Sequence, residues 1–322
     1  MRFIEALRGG VVALLMMAAT ASAQDYPSRA IRMVVPFPPG GLIDVLARTI
    51  GAKFTEAWAQ PVIIDNRPGA AGMLGAEIIA KAPADGYSLL VANTNISINP
   101  SLYKALPYDT ASAFAPVVIA IFVPNVLVVH EEVPVKSLQE LIAFAKAQPG
   151  KLNYASASSG SFPHLAVEMF KMLAGVNMTH VPYKGAAPAL SAILGKEVEV
   201  LSSDIPGALP HLKSGRLKAL AVTSVTRATS LPDVLTMAEA GLKEYEAVGW
   251  QGIMAPAGTP RSIIEKLNRQ VVAALAIPDL QDKLKAQGVE IVGNTPEEFS
   301  RFLRSDTARW AKTVAASGAR AD

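Results

Sequence analysis

From Ile31 onward the apolar and polar positions follow two alternating rhythms. Short runs rich in branched apolar residues stand at 31–35, 61–65 and 88–92, each about the length of a buried strand. Between the first two, Leu42, Val45, Leu46, Thr49, Ile50 and Phe54 recur at helical spacing, which predicts a helix over 42–58 with one face in a core. A second helix is expected over 70–82, and Asp85-Gly86 reads as the turn that sets up the strand from Tyr87 to Val91. Strands alternating with helices predict an α/β chain with a largely parallel sheet.

The pattern changes near 117–130, where VVIAIFVPNVLVVH is one long apolar run broken by Pro124-Asn125. A proline inside such a run predicts two strand segments joined by a bend, which suits a crossover between domains. Beyond it the pattern predicts a helix over 137–147, a strand at 152–155 and a helix from Pro163. Strands at 178–182 and 198–202, a helix near 205–214 and a strand at 217–223 follow. A second long extended run, AVGWQGIM at 247–254, ends in APAGTP. The remainder reads as helices with one short strand, too little for its own core, and is expected to pack back on the first domain. The chain thus reads as two discontinuous lobes with crossovers near 122–125 and 246–250. Residues 24–123 and 248–322 form one lobe, and 124–247 the other.

Length agrees, since 322 residues suffice for two domains with full cores. The N-terminus adds a separate signal. Arg2 and Arg8 precede an uncharged stretch from Gly9 to Thr20, followed by Ala21-Ser22-Ala23. This is the layout of a secretory signal, with cleavage expected after Ala23 and Gln24 as the mature start. The apolar part is shorter than the roughly 20 residues a bilayer span needs. No later stretch is longer and apolar enough, so an exported, soluble product is expected. The formal charge of +3 is spread along the chain with no basic cluster, which argues against a nucleic-acid partner. The absence of cysteine excludes thiol catalysis, lipid attachment through an N-terminal Cys and Cys-based metal sites.

The candidate chemistry lies where a strand runs through a glycine-bearing loop into a helix. This happens twice, at PFPPGG after Ile31–Val35 and at SASSGS after 152–155. Such a junction aims unpaired N–H groups and the positive end of a helix dipole at one spot, which suits an anion. In the first loop the prolines give stiffness, while Gly40 and Gly41 let the backbone approach a ligand; Phe37 and Pro39 belong to the same loop. The plainer alternative is a tight turn in which Asp44 balances the helix dipole. The second loop offers the hydroxyls of Ser156, Ser158, Ser159 and Ser161 around Gly160, or else one serine that caps the helix. Asp204 ends a strand where ligands sit in doubly wound sheets. It either accepts a hydrogen bond from a ligand or caps the helix from Ile205, and the sequence leaves both open.

Other motifs point elsewhere more weakly. GAAGMLG spans Gly69 to Gly75 with the spacing G-x-x-G-x-x-G, unlike a dinucleotide fingerprint, and reads better as close helix–sheet packing. Gly195-Lys196 lacks the rest of a Walker loop. His130, His164, His180 and His211 form no short-range ligand pair, and His164 with Glu168 is a lone i, i+4 pair, so no metal is expected. No G-x-S-x-G elbow is present.

With these residues in view, the chain resembles the substrate-binding receptors of tripartite tricarboxylate transporters, the Bug-type periplasmic proteins. The resemblance runs from Tyr26 to the C-terminus through YPSRAIRMVVPFPPGG, VIIDNRPGAAG, ADGYSLLVANT, KLNYAS, HLAVEMF, HVPYKGAAPAL, LPHLKSGRLKALAVTS and GIMAPAGTP. It implies a two-lobed, type 2 "Venus flytrap" fold: two doubly wound sheets joined by crossover strands, with a small carboxylate closed between the lobes. By position it assigns Phe37, Pro39, Gly40 and Gly41 to the first ligand loop, with Asn93 and Thr94 nearby. Ser156, Ser158, Ser159, Gly160, Ser161 and His164 fall to the second, with Tyr183, Lys184 and Asp204 as neighbours. Two departures stand out. Leu42 and Ile43 replace the small or hydroxylated residues usual after Gly41, and Ser158 replaces a common glycine. They add apolar or aromatic monocarboxylates to the di- and tricarboxylates and amino acids the resemblance suggests. The expected product is a monomeric periplasmic binding protein without cofactor or catalysis, partnered by membrane transporter subunits. A ligand-loaded sensor for a signalling receptor and a periplasmic enzyme on the same scaffold are the alternatives.

Overall fold

The computed structural model describes residues 26–286 and 288–321; the signal segment and its cleavage point lie outside the described residues. In the first lobe β1 (Ile31–Val35) leads into α1 (Leu42–Trp58), and β2 (Val62–Asn66) into a short 3-10 turn (Ala70–Gly72) and α2 (Met73–Ala80). β3 (Ser88–Asn93) is followed by α3 (Asn95–Leu102), α4 (Thr110–Ala113) and β4 (Phe114–Val123). The chain then crosses into the second lobe, with β5 (Asn125–His130), α5 (Leu138–Ala147), β6 (Asn153–Ser156) and α6 (Phe162–Ala174). β7 (Thr179–Pro182), α7 (Ala186–Leu194), β8 (Val200–Asp204), α8 (Ile205–Lys213) and β9 (Leu217–Val222) complete it. β10 (Gly249–Pro256) returns to the first sheet, and α9 (Arg261–Leu275), α10 (Pro278–Ala286), β11 (Glu290–Ile291) and α11 (Pro296–Ser317) close the chain.

The strands form a six-stranded sheet in the order β11-β4-β10-β3-β1-β2 and a five-stranded sheet in the order β7-β6-β8-β5-β9. Both sheets are mixed rather than largely parallel. β10 runs antiparallel to β3 and β4, and β5 runs antiparallel to β8 and β9. The reason is geometric: a strand entering a lobe from the other one runs away from the junction, whereas its neighbours end there. Strand alternation then divides the side chains between two faces. Ile31, Met33 and Val35 pack with α1 and α9 on one face of the first sheet, while Val34, Leu90 and Ala92 pack with α2, α3 and α11 on the other. Leu127 and Val129 face α5 and α6 in the second lobe, and Val126 and Val128 face α7 and α8.

Two elements differ from the sequence reading. The helix expected over 70–82 begins as a 3-10 turn with Ala70 and Ala71 at φ 45 and 51°, and the Asn95 amide donates to the Ala71 carbonyl at 3.0 Å. Gly75 in α2 lies so close to Pro36 that a Cβ would stand 2.7 Å from its ring, so the glycine serves close packing against the first loop. The C-terminal part packs on the first lobe, but not on it alone. In α11, Phe299 and Leu303 enter the first-lobe core, whereas Trp310 and Val314 join the core around α6. This long helix therefore touches both lobes.

Candidate functional site

The carboxyl ends of β3, β4 and β8 and the starts of β5 and β10 meet at the junction of the two sheets. A cleft of ≈ 180 Å³ opens there, room for about a dozen waters and so for a small organic solute. From the first lobe Asn93, Thr94, Trp250 and Gln251 line it; from the second, Asn125, Ala157, Phe162, Ala186 and Ser202 to Asp204. The crossovers are pinned beside it. Trp250 N–H donates to Thr94 Oγ1 at 2.8 Å, and Asn125 N–H donates to Thr223 Oγ1 at 2.9 Å. Trp250 Nε1–H reaches across to Asp306 of α11 at 3.0 Å.

Helix starts dominate the walls. α3, α6 and α7 begin at Thr94, Ser161 and Gly185, and none of the three has a side-chain cap. Their positive ends are directed at the cleft, whose lining contains no Lys or Arg. α8 is capped: Asp204 Oδ1 accepts the Gly207 N–H at 2.7 Å while the residue also lines the cleft. The two roles the sequence left open for Asp204 are thus compatible. On the first-lobe side the amide oxygen Gln251 Oε1 is buried with no hydrogen-bond partner among the described residues.

The first predicted loop lies on the same edge of the sheet, because β1 is parallel to β3 and both end there. Its anchor is Asp44, whose carboxylate accepts from Arg48 at 2.9 and 3.0 Å, from the Gly40 N–H at 3.0 Å and from Asn66 at 2.9 Å. The Arg48 hydrogen bonds are the main cause that holds this carboxyl at about 2, well below its usual range. Asn66 also donates to the Phe37 carbonyl at 3.0 Å, tying the loop to β2. Pro39, Gly40 and Gly41 are exposed, and Phe37 packs on the core. None of these four lines the cleft itself. Ile43 is only 6 % exposed and belongs to the core, so of the two departures only Leu42 stays partly accessible.

The second loop is fixed from beneath. Ser156 and Ser161 both donate to the Ser158 carbonyl, at 3.0 and 2.7 Å, so these hydroxyl protons are spent inside the loop. His164 Nδ1 accepts the Gly160 N–H at 3.0 Å, and His180 Nε2 stands 2.6 Å from Ser156 Oγ. With Ser156 already donating, His180 Nε2 is the donor of that pair. The two imidazoles stack with centroids 3.9 Å apart, and burial holds both at about 4, unprotonated near neutral pH. Below them Glu168 takes the Tyr154 hydroxyl and Lys171. Ser158 and Ser159 are exposed at the tip, while Ala157, Phe162 and Pro163 carry the loop to the cleft.

Of the remaining expected residues, Asn93, Thr94 and Asp204 line the cleft. The Tyr183 hydroxyl donates to Glu197 at 3.1 Å, and Lys184 is exposed; neither joins the lining. The sequence reading passed over Asn125, Ser202, Ser203, Gln251 and the start of α7. Two signals were available, because Asn125 sits at the predicted crossover and Gln251 follows the other. Among the described residues no His, Asp and Glu group could hold a metal, and no helix is long and apolar enough to cross a membrane.

Comparison with known proteins places this architecture. The pattern of the family described as "Tripartite tricarboxylate transporter family receptor" matches residues 46–319. The chain is 39 % identical over 317 residues to Protein BugT of Bordetella pertussis, covering 98 % of this chain and 97 % of that one. Among solved structures, R. palustris Rpa4515 with adipate matches with a TM-score of 0.82 and 38 % identity over 92 % of this chain and 99 % of that one. MatC from Rhodopseudomonas palustris with bound malate matches with a TM-score of 0.77 and 32 % identity over 90 % and 100 %. The chain belongs to the tripartite tricarboxylate transporter receptor family, whose members are periplasmic solute-binding proteins and not enzymes.

Proposed function

We propose that this receptor captures a small carboxylate in the cleft between its lobes and presents it to the membrane subunits of a tripartite tricarboxylate transporter. The observation that carries the reading is the set of uncapped helix starts around a cleft whose lining, among the described residues, holds no cation. Backbone N–H groups and dipole ends replace an anion's hydration without a buried counter-charge. Adipate and malate in the two related structures belong to the same chemical class. On this reading Asn93, Thr94 and Asp204 contact the solute. Closure brings the exposed backbone of Pro39, Gly40 and Gly41, beside Phe37, over it from one lobe. Ser158, Ser159 and Lys184 approach from the other, and Ser156, Gly160, Ser161, His164 and Tyr183 support that side. The lobes, 24–123 with 248–322 and 124–247, turn about the crossovers, and the mature protein is a monomer starting at Gln24.

The test is thermal unfolding of the mature protein, refolded to strip carried-over solute, against a panel of carboxylic acids. A ligand at 100 times its Kd adds about 2.7 kcal/mol, enough to move the midpoint by several degrees. A shift confined to carboxylates is expected. Shifts only with amines or sugars would overturn the reading.

A further inference from the structure

The charge of the cleft is unusual for an anion site. Asp204 is the only charged residue among those that line it, and the polar groups beside it are amides and hydroxyls. One Asp204 oxygen caps α8 through the Gly207 N–H. Among the described residues no protein donor engages the other. A carboxylate oxygen left unmatched beside the cleft costs free energy that a ligand donor can recover. The lining therefore has two unlike regions: uncapped starts of α6 and α7, which favour an anion, and the Asp204 carboxylate, which asks for a donor.

We propose that the solute is a carboxylate carrying a hydrogen-bond donor, an ammonium or a hydroxyl, at its other end, and that Asp204 selects it over a dicarboxylate of equal length. The inference rests on the carboxylate reading above and narrows it. A second ligand carboxylate beside Asp204 would face a like charge with no lining cation to offset either. A hydroxyl satisfies the free oxygen, and an ammonium also neutralises it. Asp204→Asn isolates the effect. Asn caps a helix about as well as Asp, so α8 keeps its first-turn bond, but the second side-chain atom changes from acceptor to donor.

The experiment is calorimetric titration of the refolded protein and of Asp204→Asn with two matched sets. One set is γ-aminobutyrate, γ-hydroxybutyrate, succinate and butyrate; the other is ε-aminocaproate, adipate and caproate. In the wild type, a donor-bearing acid is expected to bind at least tenfold tighter than the dicarboxylate of its length. In Asp204→Asn that ratio is expected to fall by at least tenfold. Preference for the amino acid over the hydroxy acid would identify the donor as ammonium, and equal binding would identify it as any hydroxyl-like donor. Succinate or adipate binding the wild type as tightly as the donor acids overturns the proposal, as does an unchanged ratio in the folded variant. Should the variant not fold, the wild-type ratio alone decides. Equal binding of every acid, butyrate included, sinks the donor inference and leaves the carboxylate reading standing. Binding of none in either set sinks both.

Discussion

His164 ties the stability of the second loop to pH, and the size of the effect follows from its surroundings. Its ring is 6 % exposed. Nδ1 accepts the Gly160 N–H, Nε2 stands 3.9 Å from Glu168, and the ring stacks on His180 with Tyr154 beside the pair. Glu168 is already matched by Lys171, so it does not offset an added imidazolium charge. Desolvation, helped by Lys171, lowers the imidazole from 6.5 to about 4. The folded state thus binds fewer protons than the unfolded chain between those values. The stability from keeping His164 neutral is complete above 6.5 and is lost as pH falls toward about 4. The whole window amounts to about 3 kcal/mol, of which about 2 kcal/mol disappears between pH 7 and pH 5. His180, also at about 4 but partly exposed, adds a smaller loss of the same sign. Urea unfolding of the wild type at the two pH values should show this loss. In His164→Asn, whose Oδ1 can take over the Gly160 N–H, most of it should vanish, because the variant also removes a cause of the His180 shift. If wild type and variant lose stability in parallel, the imidazoles are not held neutral by burial and the account of this loop is wrong.

Three further outcomes follow. Gly160 has φ +73° and a Cβ there would stand 2.3 Å from Leu102 of the other lobe. Gly160→Ala should therefore cost about 2–5 kcal/mol in urea unfolding, the sum of a left-handed alanine and an overpacked contact. A cost under about 1 kcal/mol would mean that the lobes are not in contact there. Gly41 has φ −78°, which proline adopts, so Gly41→Pro should fold normally while losing one N–H from the first loop. Carboxylate affinity should drop about tenfold or more, as expected for a hydrogen bond to a charged group; unchanged affinity by calorimetry would remove Gly41 from the site. Asp306 is buried and desolvation pushes its carboxyl up, so its contribution to stability is present at acid pH and lost as pH rises through the raised value. Asp306→Asn, which can still accept from Trp250, should gain stability relative to wild type between pH 4 and pH 7. Melting curves that move together at both pH values would contradict this.

The parts of the molecule legible in the sequence are those governed by local rules. Ile31–Val35 running through prolines and glycines into an amphipathic helix signals itself within thirty residues, and so does the proline break at Pro124. What escaped was set by pairing between distant segments. Asn125 and Asp204 face each other only because β5 and β8 share a register, and Gln251 reaches the cleft only because β10 pairs with β3 at Asn93. The α3 helix contains Pro100, and α7 has Pro188 in its first turn and small or apolar residues nearly all round, so neither shows the apolar periodicity that marked α1. Side-chain direction was equally hidden. Four serines in one loop suggest four hydroxyls for a ligand, yet Ser156 and Ser161 turn inward because the Ser158 carbonyl lies within reach of both. His164 and His180 stack because β6 and β7 pair Tyr154 with His180, a contact that spacing along the chain does not suggest.

That division bears on how such a receptor releases its solute. A buried Lys or Arg would hold a carboxylate strongly, and pulling the pair apart would leave a desolvated charge behind. On the carboxylate reading the groups that would face the anion are helix ends, which lose little when water replaces the ligand, since N–H groups bond to water nearly as well. The donors are also divided between the lobes, α3 in one and α6 and α7 in the other. On the same reading, opening about the crossovers would separate them, so affinity would fall through geometry rather than through the breaking of one strong bond. The Gly160–Leu102 contact and the α11 helix, whose Trp310 packs edge-on against Phe162 with centroids 5.7 Å apart, bridge the lobes in this structure. The bridge is therefore apolar, unlike the amides, hydroxyls and helix ends that the carboxylate reading gives to the solute. A partner that loosens the apolar bridge would empty the cleft without having to compete for the carboxylate itself.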